Sequence, residues 1–243
     1  AEANASAGAI EPVTLTCVPT FPDEGENLVQ FRAEDVHGRV AESEPFTVRV
    51  DTQPPLLSLR ADGQPGENGW FLGPVTVTLT VTDVTSGIRE VSWRTGETTW
   101  QEKALPIAVA QPGITIVEAR AVDHAGLESQ EVLTVSVDLA PPVASVIVPE
   151  LAALPHFTVR WHGDDDAAGV VSFDVQVQED GSSEWVDWLK GTTAQESLFK
   201  GRPLTGYHFR ARARDAAGRV GGWSEPVHIT VATHTMFLPM VHR

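Results

Sequence analysis

Aspartate is the residue of this chain best placed to do chemistry, and the chemistry it suits is the binding of a hard cation. Asp164, Asp165 and Asp166 form the densest carboxylate run, and Asp51 and Asp138 stand just ahead of paired prolines. Calcium prefers carboxylate and carbonyl oxygens, so these five residues are the candidate calcium ligands. Adjacent side chains alternate in direction on an extended chain, so the run cannot turn all three acids on one ion, although a loop could curl two of them around it. The run also lacks the Asp-x-Asp-x-Asp-Gly spacing of a calcium loop, and a solvated loop tip is the alternative reading. Asp35, Asp123 and Asp215 each lie three residues ahead of a glycine. For these three a turn-holding role is preferred over metal binding, because an Asp before such a turn accepts backbone N–H groups while glycine takes the positive φ.

Other chemistries find less support. A nucleophilic triad or a zinc protease site would need a motif such as Gly-x-Ser-x-Gly or His-Glu-x-x-His, and neither occurs. The 8 histidines are scattered and form no metal-ligand pair at short spacing. No catalytic residue is therefore expected, and no cofactor apart from calcium. Trp93, Trp100, Trp185 and Trp188 offer flat apolar faces on which a glycan could stack. Trp93 and Trp161 sit on alternating strands and read as core, which leaves Trp188 as the candidate exposed platform.

These residues have to be positioned by strands. Val75, Val77, Leu79 and Val81 alternate with threonines, as do Phe157, Val159 and Trp161 with polar neighbours. Period-two patterning of this kind marks half-buried strands. Segments near Leu56, Ile88, Ile107, Ile114 and Val132 complete one set of short strands, and segments near Phe173, Ser197, Tyr207 and Val227 complete a second. The stretch Arg-Ala-x-Asp-x-x-Gly ties the sets together, with Asp35, Asp123 and Asp215 recurring at a spacing of about 90 residues, the size of one β-sandwich. Asp51 and Asp138 open two copies of Asp-x-x-Pro-Pro, whose prolines fix φ and hold the preceding residue extended. The expected fold is all-β: tandem antiparallel β-sandwiches joined by Pro-Pro linkers.

The division that follows has four parts. Residues 1–51 read as the back half of a sandwich whose front strands are missing. Residues 52–140 and 141–232 are complete sandwiches, and 233–243 form an apolar tail. In the first part Val29, Phe31 and Ala33 alternate as one strand. The apolar face of Val29, Phe31, Val48 and Val50 therefore calls for a partner, either upstream polypeptide or another protein. Phe237 and Leu238 of the tail are candidates for pairing with an open edge, although Pro239 removes a ladder donor.

Composition narrows the partners. The formal charge of −16 over 243 residues excludes the clustered basic groove that nucleic acid requires, and it argues against anionic membrane surfaces. No apolar run is long enough for a membrane span. The lone Cys17 permits no internal disulfide, so packing alone must hold the sandwiches. Ala1–Gly8 lack the charged head and apolar body of a signal peptide, which is expected of a processed chain or of a piece of a longer one.

Residues 52–142 resemble a bacterial immunoglobulin-like repeat of secreted and surface proteins. The residues that carry this are Pro54-Pro55, Asn68-Gly69-Trp70, Val75–Thr80, Asp83 with Ser86-Gly87, Trp100, and Arg120-Ala-Val-Asp-x-x-Gly126. Residues 143–232 are similar to a bacterial fibronectin type III domain through Trp161, Tyr207-x-Phe209-x-Ala211-x-Ala213 and Trp223-Ser224. That second resemblance implies that Tyr207 forms a tyrosine corner, its hydroxyl bonding back to nearby backbone. Phe237-Leu-Pro-Met-Val241 is similar to Leu-Pro-rich tails of secreted proteins in filamentous thermophilic bacteria. Together the resemblances imply a non-catalytic extracellular stalk or adhesive array. The alternatives are the C-terminal accessory region of a secreted hydrolase such as a protease, and a filament subunit completed by strand donation. Glycans and neighbouring copies are the other partners considered.

Overall fold

The computed structural model describes residues 20–21, 23–102 and 106–232. Among them all regular structure is strand. The first part holds β1 (Gly25–Val29), β2 (Arg32–Glu34), β3 (Val40–Glu42) and β4 (Phe46–Val50). Strand β1 pairs with β4 and β2 with β3, both antiparallel. The four pieces form one long hairpin, interrupted where Ser43 Oγ accepts the Phe31 N–H and the Ser43 N–H reaches the Phe31 carbonyl. The expected continuous strand through Phe31 is thus broken at that residue. Phe31 leaves the ladder and stacks on Phe46, with ring centroids 5.8 Å apart. The candidate strand Val13–Val18 lies outside the described residues.

Two complete sandwiches follow. The first contains β5 (Leu56–Asp62), β6 (Trp70–Phe71), β7 (Val75–Thr82), β8 (Ile88–Thr95), β9 (Gln101–Glu102), β10 (Ile107–Val109), β11 (Gly113–Asp123) and β12 (Glu128–Val137). The second contains β13 (Val143–Ile147), β14 (His156–Asp164), β15 (Val170–Glu179), β16 (Val186–Thr192), β17 (Glu196–Lys200), β18 (Gly206–Asp215) and β19 (Val227–Thr230).

Their sheets share one topology. Sheet β10-β7-β5 faces β6-β12-β11-β8-β9, and sheet β13-β14-β17 faces β16-β15-β18-β19. Apart from the short β6, each sandwich puts its first, second and fifth strands in one sheet and the remaining four in the other, in matching order. The hairpin of the first part corresponds to the last two strands of this plan, because Asp35 closes it just as Asp123 closes β11 and Asp215 closes β18.

Alternation accounts for the cores. In β7, Val75, Val77 and Leu79 are buried while the threonines between them face out. In β18, Tyr207, Phe209, Ala211 and Ala213 point inward against Phe157, Val159, Trp161 and Val175. Burial of side chains of the Val, Leu and Phe class stabilises by about 1.5–3 kcal/mol each, so these rows hold the fold without a disulfide. The tyrosine corner is present: the Arg202 N–H donates to Tyr207 Oη at 2.9 Å while the ring lies in the core. Tyr207→Phe removes that acceptor and keeps the ring. It should cost about 1 kcal/mol, read as a lower urea midpoint with an unchanged slope.

Candidate metal centres

Where each sandwich begins, the linker before it meets two of its turns, and three carboxylates gather there. At the first junction they are Asp51, Asp83 and Asp123, and at the second Asp138, Asp165 and Asp215. Each residue offers an oxygen within 4.8 Å of the other two. The two sets are built alike: one Asp from the linker, one opening the loop after the second strand of the seven-strand plan, and one closing the sixth. That loop follows β7 in one sandwich and β14 in the other.

The repeat turn explains how the last of these is placed. Asp123 Oδ1 accepts the Leu127 N–H at 2.8 Å, and Asp215 Oδ1 accepts the Arg219 N–H at 2.8 Å. Asp35 does the same with His37 and Arg39, both at 2.9 Å. Gly38, Gly126 and Gly218 take φ of 77°, 92° and 93°, a left-handed conformation that a Cβ would strain. The preferred turn-holding role is therefore what one oxygen of each Asp performs. The other oxygen differs by site: Asp35 Oδ2 meets Arg39, whereas Asp123 Oδ2 and Asp215 Oδ2 are buried without a donor.

The loop acids divide in the same way. Asp83 Oδ1 accepts the Ser86 and Gly87 N–H groups at 2.9 and 2.6 Å, and Asp165 Oδ2 accepts that of Gly169 at 2.6 Å. Asp165 Oδ1 has no hydrogen-bond donor, nor has either oxygen of Asp138 or Oδ2 of Asp51. Of the carboxylate run, only Asp165 turns into the cluster. Asp164 and Asp166 alternate outward into solvent, Asp164 lying 3.2 Å from His162. The structure thus gathers Asp51, Asp138 and Asp165 from the sequence candidates and adds Asp83, Asp123 and Asp215. Asp83 was missed because its partners lie on other loops; its signal was the turn Asp83-Val-Thr-Ser-Gly87.

Charge is balanced unequally. Arg219 Nε lies 3.3 Å from Asp138 Oδ1, and its Nη2 donates to the carbonyls of Leu72 at 2.5 Å and Asp138 at 3.0 Å. Burial pushes the Asp138 carboxyl above its ordinary value, with Asp165 and Asp215 adding to the shift and Arg219 and the Ala168 amide opposing it. At the first junction a cleft opens beside Asp51, with Arg49 on one side and Ser86 and His124 on the other.

A second kind of cluster brings together histidines that are far apart in sequence. His208 and His228 are register partners on β18 and β19. Their Nε2 atoms lie 3.1 and 3.2 Å from the two oxygens of the exposed Asp180. Cross-strand pairing brings them together, and their separation in sequence hides it. The remaining candidates are less concentrated. Trp188 is not an exposed platform: it packs edge-on against Trp161 and Phe199, at 6.0 and 5.3 Å. Arg210 covers Trp185 at 4.1 Å and Arg94 covers Trp100 at 4.8 Å, so those faces already hold cations. Val29, Val48 and Val50 are half-buried and Phe31 is exposed. Phe237 and Leu238 lie outside the described residues.

The two facing sheets of each sandwich define the class: an all-β array of tandem antiparallel β-sandwiches. No family model matches the chain, and no curated protein matches it. Among solved structures, a crystal structure of titin domains superposes with a TM-score of 0.46 at 14% identity, covering 85% of this chain and 75% of that one. Fibronectin(III)-like modules of Clostridium thermocellum CbhA superpose with a TM-score of 0.31 at 16% identity, covering 75% of this chain and 100% of that one.

The raised Asp138 carboxyl sets a pH dependence. A carboxyl that binds its proton more tightly when folded contributes stability that is full below the unfolded value, near ~3.9, and is lost as pH rises through the higher folded value. In chelator at pH 7, Asp138→Asn should therefore melt above the unsubstituted protein. The gap should narrow as the pH falls through the raised folded value of Asp138; scanning calorimetry from pH 7 downward reads it.

Proposed function

We propose that this chain is a non-catalytic structural and interaction segment: a stiff run of sandwich modules serving as the stalk or interaction region of a larger secreted or surface bacterial protein. Its modules are residues 52–140 and 141–232, preceded by the hairpin of 1–51. The observation that carries this reading is the bonded contact between the two sandwiches. Asn68, held at φ 52°, donates its side-chain amide to the Ala216 carbonyl at 2.8 Å. The Glu67 N–H donates to the Ala217 carbonyl at 2.8 Å, and the Glu67 carboxylate meets Arg214 at 2.5 Å. Arg219 crosses from the second sandwich to the carbonyl of Leu72. With the prolines of the linker, these contacts resist both bending and twisting, which is what a spacer requires. The resemblance of 52–142 and 143–232 to modules of bacterial secreted proteins supports a location outside the cell.

A second reading, the accessory region of a secreted hydrolase, is favoured by the hairpin. Leu28 is 75% exposed, Phe31 49% and Phe46 45%, and no described residue before Pro55 is buried. A catalytic chain packed on these groups would shield them.

Backbone ¹⁵N relaxation separates a stiff array from a loose string. In chelator, residues 56–137 and 143–230 should share one rotational correlation time. Combined Asn68→Ala, Arg214→Ala and Arg219→Ala should split it into two shorter ones without unfolding either sandwich. Two separate correlation times in the unsubstituted protein would overturn the stalk reading.

A further inference from the structure

We propose that the first junction is a calcium site formed by Asp51, Asp83 and Asp123, and that at the second junction the Arg219 guanidinium stands in place of the ion. The inference deepens the stalk reading by naming what stiffens one of its joints.

The geometry suits calcium. Oxygens sharing one calcium at roughly 2.4 Å lie no more than about 4.8 Å apart, and each Asp of the trio offers an oxygen within 4.8 Å of the others. Asp123 is 0% exposed, and its Oδ2 has no donor. Asp51 Oδ2 is likewise buried and unpartnered, and so is the hydroxyl of Ser86 on the wall of the same cleft. Gathering carboxylates out of water without a counter-charge is costly. A divalent cation supplies that charge and takes up these oxygens together. Magnesium demands a near-ideal octahedron and gives up its waters reluctantly, so carboxylates already held by turn hydrogen bonds suit it less well than calcium, whose coordination is flexible.

The contrast between junctions comes from one position of the repeat. Four residues after the turn Asp stand Arg39, Leu127 and Arg219. The backbone does the same work in all three copies, since Asp35, Asp123 and Asp215 each donate N–H to the carbonyl of that residue. The side chain does not. Arg219 reaches Asp138 and anchors its Nη2 on two carbonyls. Leu127 brings no charge, and among the described residues no ion pair reaches Asp51, Asp83 or Asp123. At the second cluster both oxygens of Asp138, Asp165 Oδ1 and Asp215 Oδ2 still lack a hydrogen-bond donor, but a guanidinium lies 3.3 Å from Asp138 and supplies the counter-charge. The first cluster has no such charge and takes one from solution.

The test is calcium titration of the chelator-treated full chain by calorimetry, with magnesium as the competitor. The unsubstituted protein should bind one calcium per chain, with a Kd in the roughly 0.1–1 mM range of extracellular modules, and equimolar magnesium should not displace it. Asp51→Asn should weaken binding at least about tenfold, a loss of about 1.4 kcal/mol. It is preferred over a change at Asp123, which also holds a turn. Leu127→Arg should abolish binding, and Arg219→Leu should raise the stoichiometry to two. Circular dichroism confirms that each variant keeps its strands, and if Arg219→Leu fails to fold, Leu127→Arg carries the comparison. No calcium uptake by the unsubstituted chain, two ions bound by it, or unchanged binding in Leu127→Arg would each overturn the proposal. Because the titration counts ions whether or not the modules tumble together, a flexible array that still binds calcium would refute only the stalk reading.

Discussion

A carboxylate has two oxygens, and at the poles of these sandwiches one of them is already committed. Oδ1 of Asp123 and of Asp215 closes the turn after the sixth strand of its sandwich by accepting a backbone N–H, and the chain could not reverse as tightly there without it. That commitment carries the second oxygen into the interior of the pole, beside an acid from the linker and an acid from a neighbouring loop. Like charges gathered out of water are unfavourable without a counter-charge. A guanidinium lies 3.3 Å from Asp138 at the second junction, while among the described residues no ion pair reaches the acids of the first, and that is the main difference between two otherwise parallel joints.

The same strand links this electrostatic problem to the core. In β18, Tyr207, Phe209, Ala211 and Ala213 face inward, Arg210 and Arg212 face outward over Trp223 and Trp185, and Asp215 ends the strand at the pole. Since side chains alternate with a period of two, a slip of one residue would expose the aromatic row, bury the arginines and turn the Asp away from its cluster. Core packing therefore sets the register, and the register aims the acid. Arg212 shows the economy of the outer face: it stacks on Trp223 and pairs with Asp174 at 2.8 Å. Burial tends to raise the Asp174 carboxyl, but the Gly191 amide and Arg212 outweigh it and hold the group below its ordinary value.

Much of this was readable along the chain. Alternation located the strands of both sandwiches because a half-buried strand writes its environment directly into residue type. The repeat of Arg, Ala, Asp and Gly identified the turns, and the Pro-Pro linkers placed Asp51 and Asp138 at the joints. Even the carboxylate run yielded partly to parity, since only Asp165 of the three turns inward. Local pattern failed where neighbours come from elsewhere. Phe31 continues an alternating row yet leaves the ladder because Ser43 takes its N–H. Trp188 looks like a surface ring but lies edge-on to Phe199, a residue from a strand of the opposite sheet.

The all-β class, the strand positions, the turn chemistry and the acids at the joints could all be read along the chain, because each of these follows from the properties of adjacent residues. Tertiary structure decided which acids share a pocket, that His208 faces His228, and that Arg219 reaches Asp138 while Leu127 reaches no acid. Those are facts of sheet order and loop convergence. They depend on which distant segments are folded onto one pole, and a one-dimensional pattern carries no record of that distance.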